Sequence, residues 1–201
     1  MGVLRWRSRV LFRLASPYQN PPAGLAVPGS PVRPRGGWQD DRVTETPIPD
    51  GARRVAAKLA ELGHPHDVVM LPVTGRTAAD AATALGVELG QIAKSIVFRR
   101  RSDDKAVLVV TSGDLRVDEK KVSALVGALG RADADFVKAS TGFSIGGVSP
   151  VAHRTPPVIV VDRELFRFGQ VWAAAGHPHA VFPLSPDELV ALTGAPVEDV
   201  T

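Results

Sequence analysis

"KSIVFRRRSDDKAVLVVTS", residues 94–112, decides the fold of this chain. Two apolar, largely β-branched runs flank a charged centre, so "KSIVFRR" and "AVLVVTS" predict two strands joined through "RRSDDK" as a hairpin. Strands that stay apolar at successive positions are covered on both faces, which sets this pair near the centre of a sheet. Lys94 stands at the entrance of the first strand, with Ile92 and Ala93 before it and Ile96 and Val97 after it. An ammonium among apolar neighbours either snorkels to water or is held for a purpose. A solvated gatekeeper is the plain reading of Lys94, and a functional cation is the sharper one.

Outward from the hairpin, the periodicity alternates between helix and strand. "DGARRVAAKLAELG" places Val55, Leu59 and Leu62 along one helical face and stops at Gly63. "DVVMLPV" reads as a strand, and "TAADAATALG" as a short helix capped by Thr77 with Asp80. A turn over "ELGQIAK" enters the hairpin. Beyond it, "VDEKKVSALVGALG" predicts an amphipathic helix, "DFVKAS" a short strand, and "PPVIVVD" another strand. "ELFRFG" and "VWAAAG" follow, then a strand near "HAVFPL" and a last helix over "SPDELVALTG". Interspersed helices and strands with hairpins among them predict an α/β fold of the mixed α+β kind, in which helices flank a mixed sheet. Trp172 and Phe168 read as core.

Composition limits what such a fold can do. The 201 residues, 44% of them hydrophobic, suffice for one core plus an appendage. There is no cysteine, which excludes a disulfide framework, a thiolate metal site and a cysteine nucleophile, and which fits a reducing, cytoplasmic setting. No run approaches the roughly 18 apolar residues of a membrane-spanning helix. The net charge of +3 is uneven: residues 1–42 hold seven Arg and two acids (+5), leaving 17 basic and 19 acidic residues (−2) for the rest. A mildly acidic core argues against a domain that coats nucleic acid nonspecifically.

The appendage differs in kind. Residues 17–37 carry six Pro and four Gly without an apolar period, so residues 1–45 are expected to be a disordered Arg/Pro/Gly-rich extension, residues 46–201 the domain, and Pro49 the neighbourhood in which order begins. The acid-free "MGVLRWRSRVLFRLAS" superficially resembles a transit peptide, but nothing else in the chain points to an organelle. The first 42 residues are expected to be dispensable, with Val43 a candidate start of translation; the competing reading makes their arginines an arm that steers RNA.

A second segment draws notice besides Lys94. "TGFSIGGVSP", residues 141–150, has adjacent glycines whose N–H groups can line an anion or carbonyl site, although Gly-Gly before Pro is more often a plain turn. The five histidines include two His-Pro-His pairs, at 64–66 and 177–179, whose simpler account is two loops entering strands; no metal is expected. Arg99, Arg100 and Arg101 at the hairpin either touch RNA phosphates or form a solvated tip.

Taken in order, "GQIAKSIVF", "AVLVVTSGDLRVDEKKVSALVG", "TGFSIGGVSP", "VIVVDREL" and "AAGHPHAVFPLSPDELVALTGA" resemble the YbaK/ProX family of aminoacyl-tRNA deacylases over about residues 50–197. That resemblance implies a mixed, partly barrel-like sheet flanked by helices. It also implies hydrolysis of the ester of mischarged tRNA, Cys- or Ala-tRNA-Pro most readily, with no cofactor. The family's essential lysine, in an A-K-[ST] context, falls on Lys94 beside Ser95. Its G-x-x-x-P loop falls on Gly146, Gly147, Val148, Ser149 and Pro150, preceded by Thr141 and Gly142, and its backbone there meets the terminal adenosine and the ester. Asp162 and Gly176 match positions near the same cleft. Ser144 and Ile145 stand where relatives vary. The implied partners are the aminoacylated 3′ end of tRNA and an aminoacyl-tRNA synthetase.

Three classes stay open at this level: an editing hydrolase, a noncatalytic module that binds an aminoacyl adenosine or related nucleotide, and a Schiff-base enzyme that uses Lys94. An aminoacyl ester is labile, so its hydrolysis needs a placed water and a stabilised oxyanion, with no cysteine or metal. A protonated Lys94 fills that role without a pKa shift, whereas a basic one needs a large depression.

Overall fold

The computed structural model describes residues 48–72 and 77–201. The predicted extension over 1–45, and Val73 at the end of a predicted strand, lie outside them. The hairpin forms as expected. Strand β2 (Ile92–Arg100) pairs antiparallel with β3 (Ala106–Ser112), and Lys94 stands opposite Thr111. Every residue of β3 is buried. Leu108 and Val110 enter one core cluster and Val107 and Val109 another, so both faces of this strand are covered.

In chain order the elements around the hairpin are α1 (Asp50–Glu61), β1 (Val69–Met70), α2 (Ala78–Leu85) and a 3-10 turn (Leu89–Gln91) before it. After it come α3 (Glu119–Val126), β4 (Leu129–Arg131), α4 (Ala134–Thr141), β5 (Val158–Asp162), a second 3-10 turn (Arg163–Arg167), β6 (Val171–His177), β7 (Ala180–Leu184), α5 (Pro186–Thr193) and β8 (Val197–Glu198). The sheet runs β1-β7-β6-β2-β3-β5-β8, with β4 paired to β2. It is mixed: β2/β6, β3/β5 and β5/β8 are parallel, and the other pairs antiparallel. Along the edge away from β3, β2 pairs with β6 at its start and with β4 at its end.

On one face of the sheet lie α1 (Ala52, Val55, Leu59), α4 (Val137), α5 (Leu189) and the segment bearing Phe143 and Val148. On the other, Val122 of α3 with Val117 and Val200 covers Ile96, Phe98, Val109 and Val160. Each fully buried Val or Leu contributes about 1.5–3 kcal/mol, so β3 alone is a large share of the stability. Helix starts follow the sequence: Thr77 and Asp80 form a reciprocal capping box, and so do Ser185 and Glu188 behind Pro186.

The structure corrects three readings and types one segment left open. "DFVKAS" is helix α4, not a strand: the Asp133 side chain caps it by accepting from Phe136 N at 2.8 Å, and Val137 and Thr141, four apart, point into the core. "VSALVGALG" does not remain helical, because α3 stops at Val126 and Leu129–Arg131 turn into β4. Leu62 lies past the end of α1 and is exposed. "ELFRFG" holds a 3-10 turn before β6.

Candidate active site around Lys94

Register places the site. Because Lys94 faces Thr111 across β2 and β3, and Val110 faces Val161 across β3 and β5, the side chains of Lys94, Thr111 and Asp162 form one row across three central strands. Thr111 and Asp162 are fully buried, and the Thr111 hydroxyl donates to Asp162 Oδ2 at 2.6 Å. Asp162 Oδ1 accepts from Glu164 N at 3.2 Å. The Lys94 ammonium donates to the carbonyl oxygens of Gly113, at 3.3 Å, and Leu115. Burial pushes its pKa below the ordinary lysine value, and the Arg116 charge adds to that, while Asp114 and Asp162 oppose it. Two of three ammonium N–H groups are thus engaged, and one is left to meet a ligand.

The turn that accepts Lys94 is itself braced. Ser112 Oγ lies 2.6 Å from both Gly90 O and Asp114 Oδ1, and its single proton serves one of them at a time. Arg167 Nη2 donates to Ser112 Oγ at 3.0 Å and to Asp114 Oδ1 at 2.9 Å. The Ser112 hydroxyl, and then Arg167, hold the Asp114 carboxyl below its ordinary pKa. Gly113 has no room for a Cβ, which would strike Leu89 O; on Gly90 a Cβ would sit 2.5 Å from the Phe168 ring. Thr111, Ser112, Asp114 and Arg167 were not singled out in the sequence. Their signal is a polar cluster, Thr-Ser-Gly-Asp, at the end of an otherwise apolar strand.

The glycine loop is a second group. Thr141 Oγ1 donates to Val137 O at 2.7 Å and accepts from Phe143 N at 3.1 Å, and Gly142 closes α4 with φ +77°. Phe143, Val148, Ser149 and Pro150 are buried. Gly147 rides on β6: a Cβ there would lie 2.7–2.9 Å from backbone atoms of His177. Gly176, at φ +81°, meets the backbone of Gly51 in α1 just as closely. Arg54, also unflagged by the sequence, ties the group together. Its Nε donates to Ala152 O at 3.0 Å, its Nη2 to Thr141 O at 3.4 Å, and its guanidinium lies 4.3 Å over the Phe143 ring. His153 Nε2 donates to Ser149 O at 2.7 Å, and burial brings the His153 pKa down to about 4 against the raising effect of that hydrogen bond.

Among the described residues no hydrogen bond joins Lys94 to this loop. By strand alternation, Lys94 leaves β2 on the side of Ile96 and Phe98, while Ser95 points to the side on which Phe143 and Val148 pack; among the described residues the buried Ser95 hydroxyl has no partner. Arg99 and Arg100 pair with Asp104 and Asp103 at 2.7 Å and so brace their own tip, while Arg101 Nε donates to Leu129 O of β4 at 2.8 Å. The histidine pairs stand with ring centroids 5.6 Å (His64, His66) and 5.1 Å (His177, His179) apart. Among the described residues no group of three His, Cys, Asp or Glu is placed to hold a metal. A cavity of about 420 Å³ behind the loop is bordered by Pro150, His153 and Leu192. Another, of about 510 Å³, opens beside Leu115.

The family described as aminoacyl-tRNA editing domain matches residues 73–192. The uncharacterized protein YwhH of Bacillus subtilis (strain 168) is 33% identical over 138 residues, which are 68% of this chain and 87% of YwhH. A crystal structure of a candidate trans-editing enzyme for prolyl-tRNA synthetase is 44% identical, with a TM-score of 0.73 over 77% of this chain and 99% of that one. The hypothetical protein APE2540 is 34% identical, with a TM-score of 0.67 over 73% and 98%.

Proposed function

The chain belongs to the aminoacyl-tRNA editing domain family, and from that premise we propose that it is a trans-acting hydrolase that removes a small amino acid, Cys or Ala, from mischarged proline tRNA. The observation that carries this reading is the Lys94 ammonium, fixed by two carbonyls at the end of the Thr111–Asp162 row with one N–H to spare. The likeness to a candidate trans-editing enzyme for prolyl-tRNA synthetase supports the choice of proline tRNA, with that synthetase as a partner.

The chemistry is ester hydrolysis. Water attacks the carbonyl carbon of the aminoacyl ester, and the carbonyl π pair moves to oxygen. The ammonium of Lys94 stabilises this oxyanion, an electrostatic contribution that mutagenesis elsewhere values at about 10²–10³ in rate. When the tetrahedral species collapses, the acyl C–O bond breaks, the ribose oxygen leaves and takes a proton, and the amino acid departs as its acid. The water's proton is taken up by solvent or by the ribose hydroxyl next to the ester. Such an activity answers a limit of synthetase pockets, which gain only about 1–3 kcal/mol per methylene and so leak small amino acids. We place it in the cytoplasm, where tRNA is charged.

A deacylation panel over mischarged tRNAs, run with the full chain, tests the reading. Cys- or Ala-tRNA-Pro is hydrolysed well above the spontaneous rate, and Pro-tRNA-Pro is spared. Retained binding without turnover of any pair would instead identify a binding module.

A further inference from the structure

The cavity of about 510 Å³ beside Leu115 lies at the ends of the Lys94 row. Leu115, whose carbonyl holds the Lys94 ammonium, lines it together with the next residue, Arg116, and with Arg163, the residue after buried Asp162. Each acid in its lining already has a cation. Asp199 takes Lys121 at 2.7 Å, and Glu164 takes Arg167 at 3.1 Å. Arg116 and Arg163 are exposed, and among the described residues their side chains make no ion pair or hydrogen bond. Two guanidinium forks in the lining of one cavity suit an oxyanion with several acceptor oxygens, and a phosphodiester offers more of them than a lone carboxylate's single planar pair. The volume is that of a small-ligand site, large enough for a nucleotide.

We infer that this cavity is a phosphate site, in which Arg116 and Arg163 hold the phosphodiester that precedes the terminal nucleotide of tRNA while Lys94 meets its ester. The inference rests on the editing function proposed above and adds the subsite that positions the RNA strand. Neither arginine touches the reacting atoms; both act by binding.

The test compares the full chain with the double variant Arg116→Gln/Arg163→Gln. In deacylation of mischarged tRNA the loss appears in KM, which rises about ten-fold or more for two charge-assisted contacts. The slope of log kcat/KM against log salt becomes shallower by about 0.7, the contribution of one phosphate contact on a single strand. Arg116→Lys/Arg163→Lys restores the slope but only part of the KM, because a point charge keeps attraction and loses the fork. A second readout does not depend on turnover. By calorimetry the wild type binds adenosine 5′-monophosphate more tightly than adenosine, and the double variant binds both alike. An unchanged KM and salt slope in the double variant, or a wild type that does not distinguish the two nucleosides, overturns the phosphate site. Failure of the wild type to hydrolyse any mischarged tRNA overturns the editing function instead, and the nucleotide comparison then still decides the cavity.

Discussion

The Thr111 hydroxyl donates to Asp162 Oδ2 at 2.6 Å, and neither residue exposes any surface. A buried carboxylate is tolerable only when its oxygens are satisfied, and this one has Thr111 on one oxygen and the Glu164 N–H on the other. Thr111→Val keeps the shape and removes the donor, so it should destabilise the fold by about 1–3 kcal/mol, whereas Thr111→Ser should recover most of the loss. Adding Asp162→Asn to Thr111→Val should cost less than the sum of the two single changes, because both break the same contact. Urea denaturation of the wild type and the four variants measures this; strict additivity would show that the pair is uncoupled.

Lys94→Ala should lower deacylation by about 10²–10³, and Lys94→Arg should not restore it, because a planar guanidinium cannot occupy the place of a compact ammonium between two carbonyls. Both variants should stay folded, since Leu115 borders a cavity and Gly113 is only half-buried, so water can replace the ammonium at their carbonyls. Wild-type turnover by a folded Lys94→Ala protein would remove Lys94 from the mechanism.

The pH profile separates the two roles open to that amine. Burial lowers the Lys94 pKa below the ordinary 10.5. A cationic Lys94 is active while protonated, so the enzyme-dependent rate should fall on the alkaline side with an apparent pKa below 10.5, once spontaneous ester hydrolysis is subtracted. A general base would give the opposite sign, a rate that rises through the same window.

The hairpin was legible because its evidence is local: two apolar runs and a charged tip need no knowledge of partners. The capped starts at Thr77 and Ser185 were legible for the same reason. "DFVKAS" misled because six residues with one apolar pair, Phe136 and Val137, fit either period; its cap, Asp133, stands outside the run. Strands of two or three residues such as β4 and β8 carry no period at all. At the site, Lys94 stood out as a charge in an apolar strand. Asp162 was marked only by the family resemblance and Thr111 not at all, since both come from strands distant in sequence and meet Lys94 only through pairing register.

The two adjacent loop glycines should respond differently. Gly147→Ala sets a Cβ 2.7 Å from the His177 carbonyl carbon, so backbone must part from backbone and both stability and activity fall. At Gly146 the nearest atom to a new Cβ is Pro178 Cγ at 3.8 Å, and the penalty is only that of φ +87°, about 1–2 kcal/mol. Melting temperatures of Gly146→Ala and Gly147→Ala should rank in that order, with Gly147→Ala lower. Equal melting would mean that the loop does not rest on β6 in solution.

His153 gives the domain an acid-side weakness. Its Nε2–H donates to Ser149 O, and burial holds its pKa at about 4, against about 6.5 for an exposed histidine. Above pH 6.5 both folded and unfolded forms are neutral, and the residue costs nothing. Between pH 6.5 and 4 the unfolded chain takes up a proton that the folded chain refuses, so stability falls as pH falls, by up to about 3 kcal/mol in all. Below pH 4 both forms are charged and this loss stops growing. His153→Gln keeps an N–H for Ser149 O and does not titrate, so its stability should decline less over that window. Because Ser149 belongs to the glycine loop, mild acid should disturb the loop before the sheet. Urea midpoints for wild type and His153→Gln at pH 7, 5.5 and 4 provide the measurement; parallel declines would assign the acid sensitivity to other groups.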